Sequence, residues 1–216
     1  MSFGRRDFFG ALAALALGSA ARAAVGAEGR RILYVLPLGV PLPAKDIELV
    51  QKSLEAFYAL DVKHLGKVQL PKSAFYRPRA RYRAEKLLDF LAMRLPEDGF
   101  RILGLTAVDI STEKPPLADW GILGLAKLDD VPCVVSKLRT GRKAKSVEHA
   151  RIRLAKVCVH EIGHTLGLEH CPNQGCLMED AGGSVLTTDR EHDLCSECRG
   201  KLKQRGRLGD GGPPWP

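Results

Sequence analysis

His160 and His164 stand four residues apart in the run His160-Glu161-Ile162-Gly163-His164, and a third histidine, His170, follows Gly167 by three. On an α-helix a four-residue step leaves a net turn of about 40°, so both imidazoles project from one face and can grip one metal ion. Glu161 lies one step round, which sets its carboxylate beside the ion's remaining position instead of on the ion. That is the place of a general base. Gly167 tolerates positive φ, so the chain can turn sharply and bring His170 to the same ion from outside the helix. Three neutral nitrogen ligands with a vacant fourth position are the donor set of a hydrolytic zinc site, where water is acidified toward roughly pH 7 and Glu161 takes its proton.

Four of the six cysteines crowd in immediately afterwards. Cys171 and Cys176 have four residues between them, Cys195 and Cys198 two, a pairwise spacing able to close a tetrahedral thiolate site around a second, structural zinc. In an oxidising compartment the same four side chains can form two disulfides instead. Zinc is the preferred reading, because a protein folded before export loads its metal while its thiols are still reduced. Cys133 and Cys158 read as small core hydrophobes. His192 reads as exposed, and His64 and His149 carry no site signal.

The elements that must position this chemistry follow from patterning. Ser146 is a plausible N-cap for a helix over 147–166 that ends at Gly167 and carries the first two histidines. Upstream, 31–36 reads as a strand and 46–60 as a helix, and a short β-type run covers 68–70. A helix follows over 80–95, with Tyr82, Leu87, Leu88, Leu91 and Leu95 on one face, and 100–106 is a buried strand. Runs at 120–125 and 131–136 are two more strands, with Pro132 marking an edge. The glycine- and proline-rich stretch 205–216 is expected to be a disordered tail. With 216 residues and 45% of them hydrophobic there is material for one core over 24–204, which excludes a multi-span membrane protein and a wholly disordered chain.

Residues 1–23 read as an export signal. The paired Arg5 and Arg6, then Phe8 and Phe9, an uncharged apolar stretch over 8–21 and Ala21-Arg22-Ala23 match the twin-arginine type, with the mature chain beginning at Ala24. Fourteen apolar residues fall short of the roughly 20 that cross a bilayer, so no stable membrane anchor is expected. The expected location is periplasmic or secreted, in a bacterial source, with the twin-arginine export machinery as a partner. A formal net charge of +8 reads as a solvated surface. The alternative is anion binding through Arg77, Arg79, Arg81 and Arg83 or through Arg139, Arg142, Lys143 and Lys145. The first set reads more simply as a solvated helix entry, and no nucleic-acid partner is expected.

The run His160-Glu161-Ile162-Gly163-His164-Thr165-Leu166-Gly167-Leu168-Glu169-His170-Cys171, followed by Cys176, Met178, Cys195 and Cys198, resembles the archaemetzincins, zinc metallopeptidases of the metzincin clan. The resemblance extends to Leu36-Pro37-Leu38-Gly39, to the basic stretch over 71–83 and to 102–109, and so covers roughly 31–203. It implies an α+β, metzincin-like fold: a twisted mixed β-sheet with an active-site helix beneath it and a small C-terminal part holding a zinc in the cysteines. It also implies that Met178 floors the three histidines, that a peptide or protein substrate adds to the edge strand near 120–125, and that two zinc ions bind per chain. All four tyrosines precede the motif, so no tyrosine follows the methionine to steady an oxyanion. The rival reading is an exported zinc-bound peptide- or anion-binding protein with little or no hydrolysis.

Overall fold

The computed structural model describes residues 30–216; the export signal expected at 1–23 lies outside them. The chain runs β1 (Arg31–Leu38), α1 (Ala44–Phe57), β2 (Leu60–His64), β3 (Phe75–Tyr76), β4 (Arg81–Arg83), α2 (Ala84–Ala92), β5 (Gly99–Thr106), β6 (Ile110–Lys114), β7 (Leu117–Gly121), β8 (Gly124–Ala126), β9 (Pro132–Ser136), α3 (Lys137–Thr140), α4 (Val147–Thr165) and α5 (Ser196–Gln204). A five-stranded sheet has the order β2-β1-β5-β9-β8, and a smaller four-stranded sheet the order β3-β4-β6-β7. In the larger sheet every pairing is parallel except that of β8 with β9, which places a short antiparallel strand at one edge.

Alternation along β1 explains the layering. Leu33 and Val35 point into one apolar cluster, with Phe57, Leu154 and Ile162 of α1 and α4; Tyr34, Leu36 and Leu38 point into another, with Leu87, Leu88 and Leu91 of α2. Successive strand residues face opposite sides, so a buried strand apolar throughout demands helices on both faces. Gly104 of β5 lets α2 approach, since a Cβ there would stand 2.7 Å from Leu91 Cδ1.

The structure departs from the sequence reading in several places. The expected strand over 120–125 is broken: Trp120 and Gly121 close β7 in the smaller sheet, while Gly124 begins β8 in the larger one. Pro132 is not on an edge strand, for β9 lies between β5 and β8; proline is tolerated as the strand's first residue. Tyr82 belongs to β4 rather than to the helix that follows, and the run at 68–70 contributes a single bridge, Val68 to Leu38. Arg81 and Arg83 are not a solvated helix entry. Arg81 Nε donates to Asp109 Oδ2 at 3.0 Å, Arg139 pairs with the same carboxylate, and Arg83 Nη1 lies 3.5 Å from Asp119.

The expected disordered tail instead packs back on α1. Gly209 and Gly211 donate to Phe57 O and Ala56 O at 2.9 and 3.0 Å, and Trp215 stacks on Phe57 with ring centroids 5.7 Å apart. A composition signal for flexibility is overridden because one large aromatic side chain, Trp215, is buried. Cys133 and Cys158 are buried free thiols, in keeping with their reading as core residues.

Candidate metal centres and active site

α4 begins as the sequence suggests, with the Ser146 side chain accepting from His149 N at 3.0 Å. It ends in a Schellman arrangement: Leu168 N donates to Gly163 O and Gly167 N to His164 O, both at 2.9 Å, around Gly167 at φ 86°. That turn returns the chain so that the ligand atoms of His160, His164 and His170 all lie within 4.8 Å of one another. His160 Nδ1 is 2.7 Å from Leu177 O and His164 Nδ1 is 2.7 Å from Leu168 O. A carbonyl only accepts, so each Nδ1 carries the proton and each Nε2 presents a lone pair. The two Nε2 atoms face each other at 3.0 Å. Burial, reinforced by His164, holds His160 down to about 3, and burial lowers His164 as well, so both rings are neutral. Two convergent lone pairs at close to the edge of a zinc tetrahedron, about 3.4 Å for Zn–N bonds of about 2.1 Å, are a donor set for a cation.

Glu161 is buried at the same helical turn, and Gly124 of β8 makes its room: a Cβ there would stand 2.6 Å from Glu161 Oε1. Burial pushes the Glu161 carboxyl up to about 8. A dication at the imidazoles would draw it back toward the carboxylate that a base requires. Met178 is fully buried against Gly163, where a Cβ would lie 2.5 Å from its sulfur. Tyr58 lies on the same side but spends its hydroxyl on Val159 O at 2.7 Å, so it is a strut for α4 and not a cleft group.

The histidines open onto a cleft of about 310 Å³. β8 lines it together with Trp120 and Lys114 of the smaller sheet, the loop over 180–183, Thr188 and Glu191. Asp180, which sequence reasoning missed, also lines the cleft, with Oδ2 3.9 Å from His170 Nδ1 and its other oxygen taking the Gly182 amide at 2.8 Å. Nothing in one sequence marks it, since an aspartate beside glycines reads as an ordinary turn. The arginine–aspartate brace behind the cleft was equally silent: Arg153, 1% exposed, makes two 2.6 Å bonds to Asp189.

The four clustered cysteines also converge within 4.8 Å. Cys171 Sγ is 3.7 Å from Cys195 Sγ, and Cys176 Sγ is 3.8 Å from Cys198 Sγ. Both match the edge of a tetrahedron with Zn–S near 2.3 Å, about 3.8 Å, and both are far longer than a disulfide bond of about 2.05 Å. Cys195 caps α5 and Cys198 lies in its first turn, where the helix's positive end favours thiolates. The hydrogen bond from Cys198 draws Cys176 down to about 5 and correspondingly raises Cys198. Asn173 Nδ2 and Cys195 N add N–H···S contacts at 3.5 and 3.4 Å. His192 is exposed on the loop between the pairs and joins neither cluster.

The sequence profile of peptidase family M54 matches residues 45–204. The archaemetzincin of Haloquadratum walsbyi is 33% identical over 174 residues, covering 77% of this chain and 96% of that one. The crystal structure of the archaemetzincin from Methanopyrus kandleri superposes with a TM-score of 0.71 at 28% identity, over 84% of this chain and 98% of that one. The one from Archaeoglobus fulgidus, complexed with malonate, gives 0.66 at 30% identity, over 79% and 99%. Fold, motif and relatives agree: the chain belongs to peptidase family M54, the archaemetzincins, and is a zinc metallopeptidase.

Proposed function

We propose that His160, His164 and His170 hold the catalytic zinc, that Glu161 is the general base of peptide-bond hydrolysis, and that Cys171, Cys176, Cys195 and Cys198 hold a second, structural zinc. Zinc in the histidine site supplies a Lewis acid for the substrate carbonyl and acidifies water toward about pH 7. Glu161 takes a proton from the attacking water on its carboxylate and returns it to the leaving amine nitrogen. The Gly124 gap lets that carboxylate stand against β8 without displacing the strand. The free edge of β8 supplies backbone donors and acceptors along which an extended peptide or protein substrate lies, its scissile bond over the histidines.

One observation carries the reading: two neutral, convergent imidazole lone pairs with a buried carboxylate beside them, opening on a cleft. Replacement Glu161→Gln keeps the volume and removes the base. The expected result is zinc content equal to wild type and a loss of at least about 100-fold in kcat on a cleaved peptide. Unchanged turnover in that variant would remove Glu161 from the mechanism.

We also propose export through the twin-arginine route, supported by Arg5-Arg6 and the cleavage pattern at 21–23. Mass spectrometry of the exported protein should find Ala24 as its first residue; an intact N-terminus there would overturn the proposal. Among the described residues no helix is long and apolar enough to cross a membrane. The commitment of Arg81, Arg83 and Arg139 to Asp109 and Asp119 supports a peptide partner over a nucleic acid.

A further inference from the structure

The C-terminal strap does more than cover α1. Residues 205–216 lie beyond the stretch that matches the family profile, and glycines bring them onto α1 at close range. A Cβ on Gly209 would stand 2.5 Å from Ala56 O, and one on Gly211 2.8 Å from Ala56 Cβ. Ala59 N donates to Arg207 O at 3.0 Å, so the strap is tied along this corner before it reaches Trp215. The Trp215 ring is 6% exposed and stacks on Phe57 with 23° between the planes. A buried indole needs a partner for its N–H, and Trp215 Nε1 donates to His192 O at 3.0 Å.

That carbonyl belongs to a chain of bonds that ends on a metal ligand. Residues 192–193 run beside 175–177: His192 N donates to Gly175 O and Leu177 N donates to Asp193 O, both at 3.0 Å. Leu177 in turn accepts on its own carbonyl from His160 Nδ1 at 2.7 Å. Other side chains hold the flanks of the same loop. Lys156 Nζ donates to Thr188 O and Glu191 O, and Arg199 Nη2 donates to Asp193 Oδ1 at 2.6 Å. The Trp215 bond adds a hold from the side of α1. A metal-binding imidazole is kept in its tautomer and its aim by the acceptor on its other nitrogen, and losing that acceptor costs roughly 10–100-fold in metal affinity. Leu177 O is that acceptor for His160. His164 uses a different one, Leu168 O, in the turn that ends α4. We propose that Trp215 is a positioning residue for the catalytic metal: by holding His192 O it sets the Leu177 carbonyl that aims the Nε2 lone pair of His160. That this metal is zinc rests on the function proposed above; the coupling of Trp215 to His160 does not.

A residue that only stabilises the fold loosens both histidines alike, whereas a positioning residue loosens His160 alone. Two measurements on the full chain read the difference. In the first, hydrogen exchange of the His160 and His164 Nδ1–H groups is followed by NMR in wild type and in Trp215→Phe, which keeps a ring on Phe57 and removes the donor. The His160 proton is expected to exchange at least about threefold faster in the variant, as loss of one neutral hydrogen bond allows, with His164 at its wild-type rate. Equal His160 rates in the two proteins overturn the proposal, and so does equal acceleration of both histidines. The second uses wild type alone, so it decides the matter even if Trp215→Phe does not fold. Coupling is reciprocal: if Trp215 favours metal at His160, metal at His160 steadies Trp215 by the same factor. Dipicolinate is used to strip zinc from the histidines while the cysteines keep theirs, as checked by elemental analysis. The Trp215 Nε1–H is expected to exchange at least about threefold faster after stripping, and an unchanged rate overturns the proposal. Absence of zinc from the histidines of zinc-saturated protein overturns the reading of that cluster as the catalytic zinc site, and the imidazole rates then decide the coupling by themselves.

Discussion

The two donor clusters meet at adjacent residues, His170 and Cys171, yet they are built for opposite ends. The histidine cluster opens on a 310 Å³ cleft and leaves its third ring exposed; in the cysteine cluster Cys171, Cys176 and Cys198 are buried. Three donors leave a tetrahedral ion one position for chemistry, whereas four fill it. Ligand count, more than the identity of the metal, divides work between neighbouring sites on one segment. Paired variants sharpen this division. Cys176→Ala is expected to lose one zinc per chain and to fall by about 10 °C or more in Tm, since metal binding at a closed site is folding free energy. His164→Ala is expected to lose the other zinc and all turnover while keeping Tm within a few degrees. Elemental analysis and calorimetry check both, and equal thermal losses would break the comparison.

Met178 ties the two clusters together. Its carbonyl accepts from Cys171 N at 2.7 Å, and its side chain packs where Gly163 has no Cβ. Gly163→Ala would place a methyl group 2.5 Å from the Met178 sulfur and 3.0 Å from the Tyr58 hydroxyl. Overpacking of this kind costs about 1–3 kcal/mol. Urea unfolding should show that loss together with a lower kcat, because Gly163 lies on the turn of α4 between His160 and His164. A variant as stable and as active as wild type would show that the two clusters are uncoupled.

How much of this was legible beforehand depended on whether the signal was local. The histidine motif, the Ser146 cap, the Gly167 turn and the pairing of the cysteines are read from spacing along one segment, and the structure brings each set of donors together. The break between β7 and β8 was illegible because Trp120 and Gly124 sit in one apolar run whose residues join different sheets. Gly124 and Arg153 gain meaning only from partners distant in sequence, Glu161 for the first and Asp189, 36 residues away, for the second. Composition misread the tail for a related reason: Trp215 is buried by Phe57, which composition near the C-terminus does not reveal.

That brace between Arg153 and Asp189 offers the smallest and most selective test, because it supports the cleft wall and touches neither cluster. Two bonds from Arg153, with a third from His149 Nε2 at 2.7 Å, hold the Asp189 carboxyl down to about 2. An unfolded aspartate titrates near 3.9, so the folded value is the lower one. The stabilisation is therefore complete above about pH 5 and is lost as pH falls toward 2. Solvent reaches Asp189, whose side chain is 33% exposed, and screening trims the effect to roughly 1–2 kcal/mol. Asp189→Asn should be less stable than wild type by that amount at pH 7, with the two urea midpoints converging as pH approaches 2. Acid protonates the imidazoles and thiolates of both proteins alike, so the difference between them isolates the brace. A gap that persists at low pH would mean that Asp189 acts through packing instead of charge, and the cleft wall would then owe its position to the apolar face of α4 alone.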